Sequence, residues 1–389
     1  MLRAQIRDCT EATEECYAYS DGDLEPLLSN QALVFSRRAD FVARRAQKPL
    51  ADRLEERLKA TLAAAAGHVD RSRWIYTGLP GLDTAISPFD VRREHWYNII
   101  GGPPSGGKSS FMRQIAIENV CHREKRFAVF LLETGLMWVE SAAATLARVP
   151  LNALMDGVAP ADMISRYKTE FLALKDISER RLFVFEDIYF VEDIERKTRE
   201  LDRTLRERAL AGAAAISDPT ERAVAESAAH GLDGVVVDYL QIVSTRQQFR
   251  GHREQMIAHV SSTLKRLFKS LNIAGFVGAQ INRTSREEGK APSLSALRES
   301  GSIEQDADSV IFVHTPATTR TGAEQNSNHS VDEVEVVQRK RRNGVKDVAH
   351  LVLFTKAQTR YEEPEGSASV VRPGAPKPAQ GYRRSGGGG

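Results

Sequence analysis

Ten consecutive residues, Gly101-Gly102-Pro103-Pro104-Ser105-Gly106-Gly107-Lys108-Ser109-Ser110, contain from Gly102 to Ser109 the spacing G-x-x-x-x-G-K-[ST]. Glycines let backbone N–H groups close on a phosphate, the lysine adds a point charge, and the hydroxyl can ligate Mg²⁺. Gly102, Pro103, Pro104, Ser105, Gly106, Gly107, Lys108 and Ser109 are therefore the expected nucleotide-binding residues, with Ser109 as a metal ligand. Gly234-Val235-Val236-Val237-Asp238 is an apolar run ending in a carboxylate, suited to hold the metal shell beside such a loop. Glu133 follows the apolar run Phe127–Leu132, where a carboxylate can activate water, although a strand-end Glu is often merely solvated. Gln280 ends the run Ala274–Ala279, where a neutral amide can sense a γ-phosphate. Lys340, Arg341 and Arg342 precede Asn343-Gly344 between the strand-like runs Val334–Gln338 and Val348–Phe354, a hairpin signal. The hairpin is expected to hold a cationic tip away from the body, able to serve a neighbouring subunit's nucleotide.

The elements that must position these groups are legible in the periodicity. Tyr97–Ile100 reads as a strand entering the loop, and Phe111–Ile117 as an amphipathic helix leaving it, which puts bound phosphate on a helix N-terminus. Further strand-like runs (Phe127–Leu132, Leu182–Phe185, Val235–Val237, Ala274–Ala279, Ser309–Val313) alternate with helical stretches. The alternation predicts an α/β fold with a mostly parallel sheet and helices on both faces. Residues 1–73 read as a helical arm and linker. Leu50, Leu54, Leu58 and Leu62 form a narrow stripe on a helix from Leu50 to Ala66 that needs an apolar partner, in its own chain or a neighbour's. The charged, alanine-rich stretch 192–230 predicts two helices broken near Ser217-Asp218-Pro219 and protruding as a hairpin. Residues 363–389, rich in Pro, Gly and Ser, are expected to be a disordered tail.

Composition narrows the classes further. With 54 basic and 52 acidic residues the net charge is +2, which excludes polyanion binding by bulk charge and requires any nucleic-acid contact to be focal. Three cysteines, Cys9, Cys16 and Cys121, are too few and scattered for a disulfide framework, as in a reducing compartment. No apolar run approaches the roughly 18 residues of a membrane span, and the N-terminus lacks a signal peptide's apolar region, so a cytoplasmic protein is expected.

Gly234–Val243, Ala279-Gln280-Ile281-Asn282-Arg283, Leu297–Asp308 and Lys340-Arg341-Arg342-Asn343-Gly344 together resemble the C-terminal motor domain of DnaB-family replicative DNA helicases, in family order over residues 74–362. The resemblance implies a RecA-like P-loop NTPase core preceded by a short helical arm, using ATP and Mg²⁺. It also implies a homo-hexameric ring that translocates 5′-to-3′ on single-stranded DNA in replication, with nucleotide between subunits and a helicase loader as partner. By that resemblance Lys108 and Ser109 bind phosphate and Mg²⁺, Glu133 activates water, Asp238 holds the metal shell and Gln280 couples γ-phosphate to DNA. Lys340 and Arg342 become the trans fingers, and Arg298, Glu299 and Gly301 match the loop that tracks the DNA backbone. Thr134-Gly135 stands where the family has Met-Pro, and Gly106-Gly107-Lys108 where Met-Gly-Lys is usual. The family's N-terminal collar, which receives primase, has no room in the first 70 residues, which leaves primase binding and self-assembly open. Two other readings are a RecA-like strand-exchange or assembly ATPase that forms filaments, and a non-catalytic DNA-binding ring adaptor. Glu133, Lys340 and Arg342 together argue against the adaptor.

Overall fold

The computed structural model describes residues 49–249, 251–281, 291–297, 301–316, 331–364 and 370–371. Its strands are β1 (Trp74–Ile75), β2 (Phe89–Asp90), β3 (Tyr97–Gly102), β4 (Phe127–Leu131), β5 (Leu182–Glu186), β6 (Gly234–Asp238), β7 (Ala274–Gln280) and β8 (Ser309–His314). Then follow β9 (Val331–Arg341), β10 (Val348–Thr355), β11 (Arg360–Glu362) and β12 (Val370–Val371). The main sheet runs β11-β10-β9-β8-β3-β7-β6-β4-β5, with β12 pairing to β10, while β1 and β2 pair separately. From β8 to β5 every pairing is parallel; β9, β10, β11 and β12 add an antiparallel edge. The runs of β-branched and aromatic residues have no polar face because both faces are covered, as parallel strands require.

Alternation along each strand splits the core in two. Ile100, Val129, Leu131 and Val236 face the side packed by the helices Lys108–His122 and Met137–Ala147. Ile99, Phe130, Val235 and Val237 face the side packed by Val191–Ala214 and Arg253–Leu271. The expected amphipathic helix after the phosphate loop is instead buried nearly all round: Phe111, Met112, Arg113, Ile115, Ala116 and Val120 are all inside. The reason is the antiparallel edge, which wraps the helix's other side. Arg113 Nη2 donates to Thr359 Oγ1 at 2.6 Å, and burial lowers the arginine's proton affinity to about 10.

The helices Val191–Ala214 and Pro219–Ala228 match the expected pair, and the Asp218 side chain caps the second by accepting the Glu221 N–H at 2.8 Å. Only the distal part protrudes; Val191, Ile194 and Leu205 belong to the core. The helix Leu50–Ala65 leaves its leucine stripe exposed. The expectation of a disordered tail from residue 363 needs correction at its start. Glu363 accepts the N–H groups of Gly81 and Leu82 at 3.0 and 2.9 Å and meets His350 Nε2 at 2.9 Å, so it is part of the body. Val370 and Val371 likewise pair with β10. The rest of the tail, and residues 1–48 of the arm, lie outside the described residues.

The basic hairpin also differs from expectation. β9 pairs with β10 only as far as Gln338 opposite Val348, then continues along β8 to Arg341 opposite Ser309. Its tip therefore lies on the body. Arg341 is buried, donating to the carbonyls of Ser87 and Pro88 at 3.0 and 2.7 Å, because the strand end packs under the Phe89 ring. His95 accepts the Asp90 N–H at Nδ1 (3.1 Å), which leaves Nε2 protonated to donate to the Arg342 carbonyl at 3.0 Å. Burial, and then the Arg341 charge, lower the His95 pKa to about 4. The unfolded chain then takes up the proton first, so His95 contributes stability above about pH 6.5 that is lost as pH falls towards 4. His95→Asn should lose about 3 kcal/mol less than the wild type over that window in denaturant titrations. Parallel curves for the two proteins would refute this.

Candidate nucleotide site

The parallel register brings the carboxyl ends of the strands level: Gly102 lies opposite Gln280, and Leu131 opposite both Asp238 and Glu186. Ligands of open α/β sheets gather at this edge. Between β3 and the helix Lys108–His122, Ser105 (φ 56°) and Gly107 (φ 84°) are left-handed, with Gly106 between them. Such alternation turns successive N–H groups inward as an anion-binding nest at the helix N-terminus. Gly107 is required twice over: its φ suits glycine, and a Cβ would lie 1.9 Å from the Tyr361 hydroxyl.

The loop floors a cleft of about 290 Å³ lined by residues 103–110 together with Glu133, Tyr239, Gln280 and Phe354. Lys108 Nζ and Asp238 Oδ1 meet at 3.0 Å, both buried, and the ammonium lies 4.7 Å over the Tyr239 ring. Glu133 is exposed on the cleft wall just beyond β4. Burial, and then the Glu133 and Asp238 charges, raise the pKa of the Tyr239 hydroxyl, so it stays protonated as a donor. Gln280 is also exposed to the cleft, and the Gln241 amide holds its backbone from both sides: Oε1 accepts the Gln280 N–H at 3.1 Å, and Nε2 donates to its carbonyl at 3.0 Å. The oxygen donors, Ser109 hydroxyl and Asp238 carboxylate, suit a hard cation. Among the described residues no cluster of three or more His, Cys, Asp or Glu could hold a metal.

Lys108, Ser109, Glu133, Asp238 and Gln280 thus come together from four strand ends distant in sequence. Lys340 and Arg342 do not join them. They sit towards the start of β8, away from the cleft: at about 3.3 Å per residue along β3, Arg342 lies roughly 17 Å from the level of Gly102, and Lys340, in register with Ile99 through Val310, about 10 Å. Arg298 and Glu299 lie outside the described residues; Gly301 opens the short helix Gly301–Asp306, away from the cleft. Sequence reasoning missed Tyr239, Gln241, Phe354 and Tyr361. The first two sit in the Gly234–Val243 segment, whose spacing carried the signal. Phe354 and Tyr361, with rings stacked at 4.5 Å, reach the loop only through the β10–β11 pairing.

Fold and site together define a nucleotide-using α/β protein of RecA-like architecture. Residues 75–363 match the sequence profile of the DnaB-like helicase C terminal domain, and the chain belongs to that family. The replicative DNA helicase DnaB of Helicobacter pylori is 26% identical over 321 residues, covering 74% of this chain and 59% of its own length. That of Mycoplasma genitalium is 42% identical over 112 residues, 28% of this chain and 24% of its own. The chain therefore spans somewhat over half of the longer-matching relative. The same fold appears in a solved ATPase domain (TM-score 0.63, 22% identity, covering 82% of this chain and 100% of that one). It appears again in a DnaB-like replicative helicase studied for its interactions with primase (TM-score 0.60, 20% identity, 86% and 76% covered).

Gly107→Ala should weaken binding of a fluorescent ATP analogue by about tenfold or more, because both φ and the Tyr361 hydroxyl oppose the methyl group. Adding Tyr361→Phe should restore part of the loss. Unchanged affinity in the single variant would show that the loop does not need this conformation.

Proposed function

We propose that this chain is the motor of an ATP-dependent DNA helicase, acting in DNA replication as a homo-hexameric ring that moves 5′-to-3′ on single-stranded DNA. The observation that carries the reading is the split site: the phosphate loop, Glu133, Asp238 and Gln280 at one end of the sheet, and Lys340 and Arg342 at the other. Within its own subunit Arg342, roughly 17 Å from the cleft along the sheet, is held by Asp308, and Lys340, about 10 Å along, is held by the Glu304 carbonyl, whereas a head-to-tail neighbour can present both.

In this reading the nest and Lys108 bind the β- and γ-phosphates, and Phe354 offers an aromatic wall to the rest of the nucleotide. Ser109 would hold Mg²⁺, with Asp238 in its shell, and the ion would supply neutralisation of the phosphate charge. Glu133 orients a water in line with the γ-phosphate and accepts its proton. Arg342 and Lys340 of the next subunit stabilise the charge that develops on the transferred phosphoryl group. Gln280, its backbone clamped by Gln241, relays the state of the γ-phosphate towards the DNA side, where Arg298, Glu299 and Gly301 track the phosphate backbone. The family relatives support this reading, and a helicase loader and cytoplasmic location follow from it. The domain boundaries that go with it are an arm over 1–73 and a motor that starts at 74, carries an inserted helical pair at 192–230 and includes Glu363 and the β12 pairing. No described helix is long and apolar enough to cross a membrane.

The deciding experiment is unwinding of a forked DNA with ATP and Mg²⁺, which wild type should perform from the 5′ tail and Lys108→Ala should not. Open filaments without unwinding would favour strand exchange, and DNA binding without turnover an adaptor. Glu133→Gln should bind ATP yet turn over at least ~100-fold more slowly, and mixing it with Arg342→Ala subunits should recover activity over either alone. Wild-type turnover in Glu133→Gln would sink the assignment, and a mixture no better than its parts would remove the trans role.

Arg298→Ala should flatten the salt dependence of oligo(dT) binding by about one ion, with ATP affinity retained. An unchanged slope would mean that Arg298 meets no phosphate.

A further inference from the structure

Asp308, immediately before β8, is fully buried and takes no part in the nucleotide cleft. Its Oδ2 accepts the Tyr97 N–H at 3.1 Å, while Oδ1 faces Lys265 Nζ at 3.3 Å and Arg342 Nε at 3.2 Å. The two cations are held unequally. The Lys265 side chain is 19% exposed and its ammonium also donates to the Asp306 carbonyl, whereas the Arg342 side chain is 41% exposed. The Arg342 backbone is pinned separately: its N–H donates to the Asp308 carbonyl at 2.7 Å, and its own carbonyl accepts from His95. The guanidinium can therefore swing out without moving the strand. When it does, Asp308 still has Lys265 and the Tyr97 N–H, so the buried carboxylate is never left unpaired, the condition that would make release costly.

We propose that Asp308 is a positioning residue that latches Arg342 inside its own subunit and hands it to the neighbour's nucleotide, with Lys265 as the cation that stays behind. The inference rests on the reading of Arg342 as a trans finger. Crowding favours release: the Lys340 ammonium is held below its usual range by burial and then by Arg342 and Lys265, so three cations share this corner. The latch also touches the segment assigned to DNA. Ser261 Oγ donates to Asp306 at 2.8 Å and Lys340 Nζ to the Glu304 carbonyl, so both partners grip the helix Gly301–Asp306. A shift of that helix on DNA binding is transmitted to the lysines around Asp308, and the arginine is freed.

The test measures ATP turnover of the full chain at saturating ATP, with and without oligo(dT), together with KM and thermal stability. Asp308→Asn removes the charge that holds Arg342, and DNA-free kcat should rise by about threefold or more, with less stimulation by DNA. Lys265→Met leaves Arg342 as the cation facing Asp308, and DNA-free kcat should fall by about threefold with KM unchanged. A purely structural Asp308 lowers turnover in both variants; that result, or no change in either, overturns the latch. If Asp308→Asn gives no cooperative melt, Lys265→Met decides by its response to DNA: its kcat deficit should shrink at saturating oligo(dT), and a deficit unchanged by DNA, a rise or no change overturns the proposal. Arg342→Ala separates the two readings. If it turns over like wild type, the finger assignment fails and the latch with it; if it is slow while Asp308→Asn or Lys265→Met moves the wrong way, the latch alone fails.

Discussion

The cleft depends on one buried ion pair, between Lys108 at the start of its helix and Asp238 at the end of β6. β7 lies between the two strands that deliver these residues, so the pair must close over it. It does so above Gly278, where a Cβ would lie 3.1 Å from Asp238 Oδ1 and 2.9 Å from the Met112 methyl. Each charge alone would cost several kcal/mol to bury; paired at 3.0 Å, each makes the other tolerable. The same pairing fixes the lysine ammonium at the floor of the cleft and the carboxylate against it, so that ligand charges would meet groups already oriented.

The sheet is polar along its strands as well as across its faces. Parallel register gathers the loop, Glu133, Asp238 and Gln280 at the carboxyl ends, and the antiparallel strand β9 carries Lys340, Arg341 and Arg342 to the amino ends. Arg341 is sacrificed to packing there, with burial lowering its proton affinity to about 10, and this roots the strand end while the Arg342 side chain stays 41% exposed. In the proposed helicase, one chain would own both halves of a site that do not meet within it. Heterologous contact between copies is the arrangement such a surface suits.

The antiparallel edge has a second role, in closing the body. Glu363 caps the first turn of the helix Pro80–Ile86 and pairs with His350 on β10, so the first and last elements of the family region are tied together. Arg113 and Tyr361 extend the contact to the underside of the phosphate loop. The loop's conformation is therefore supported by residues some 250 positions further along the chain.

The sequence by itself determined what short-range chemistry dictates. The glycine and lysine spacing, the apolar runs ending in Asp238, Glu133 and Gln280, and the Asp218-Pro219 break all reappear in the structure, because φ preferences, capping and burial periodicity act over a few residues. It also indicated that carboxylates and amides would sit at strand ends. Tertiary structure alone decided which strands adjoin, and with that every contact made across them. Gln241 clamping Gln280, Tyr361 beneath Gly107, and Asp308 holding Arg342 follow from strand order and register, which no local pattern encodes. The basic tip shows the difference most clearly. Asn343-Gly344 announced a turn, but whether its cations stood free or lay against β8 depended on β9 running past its hairpin partner to pair on the other side.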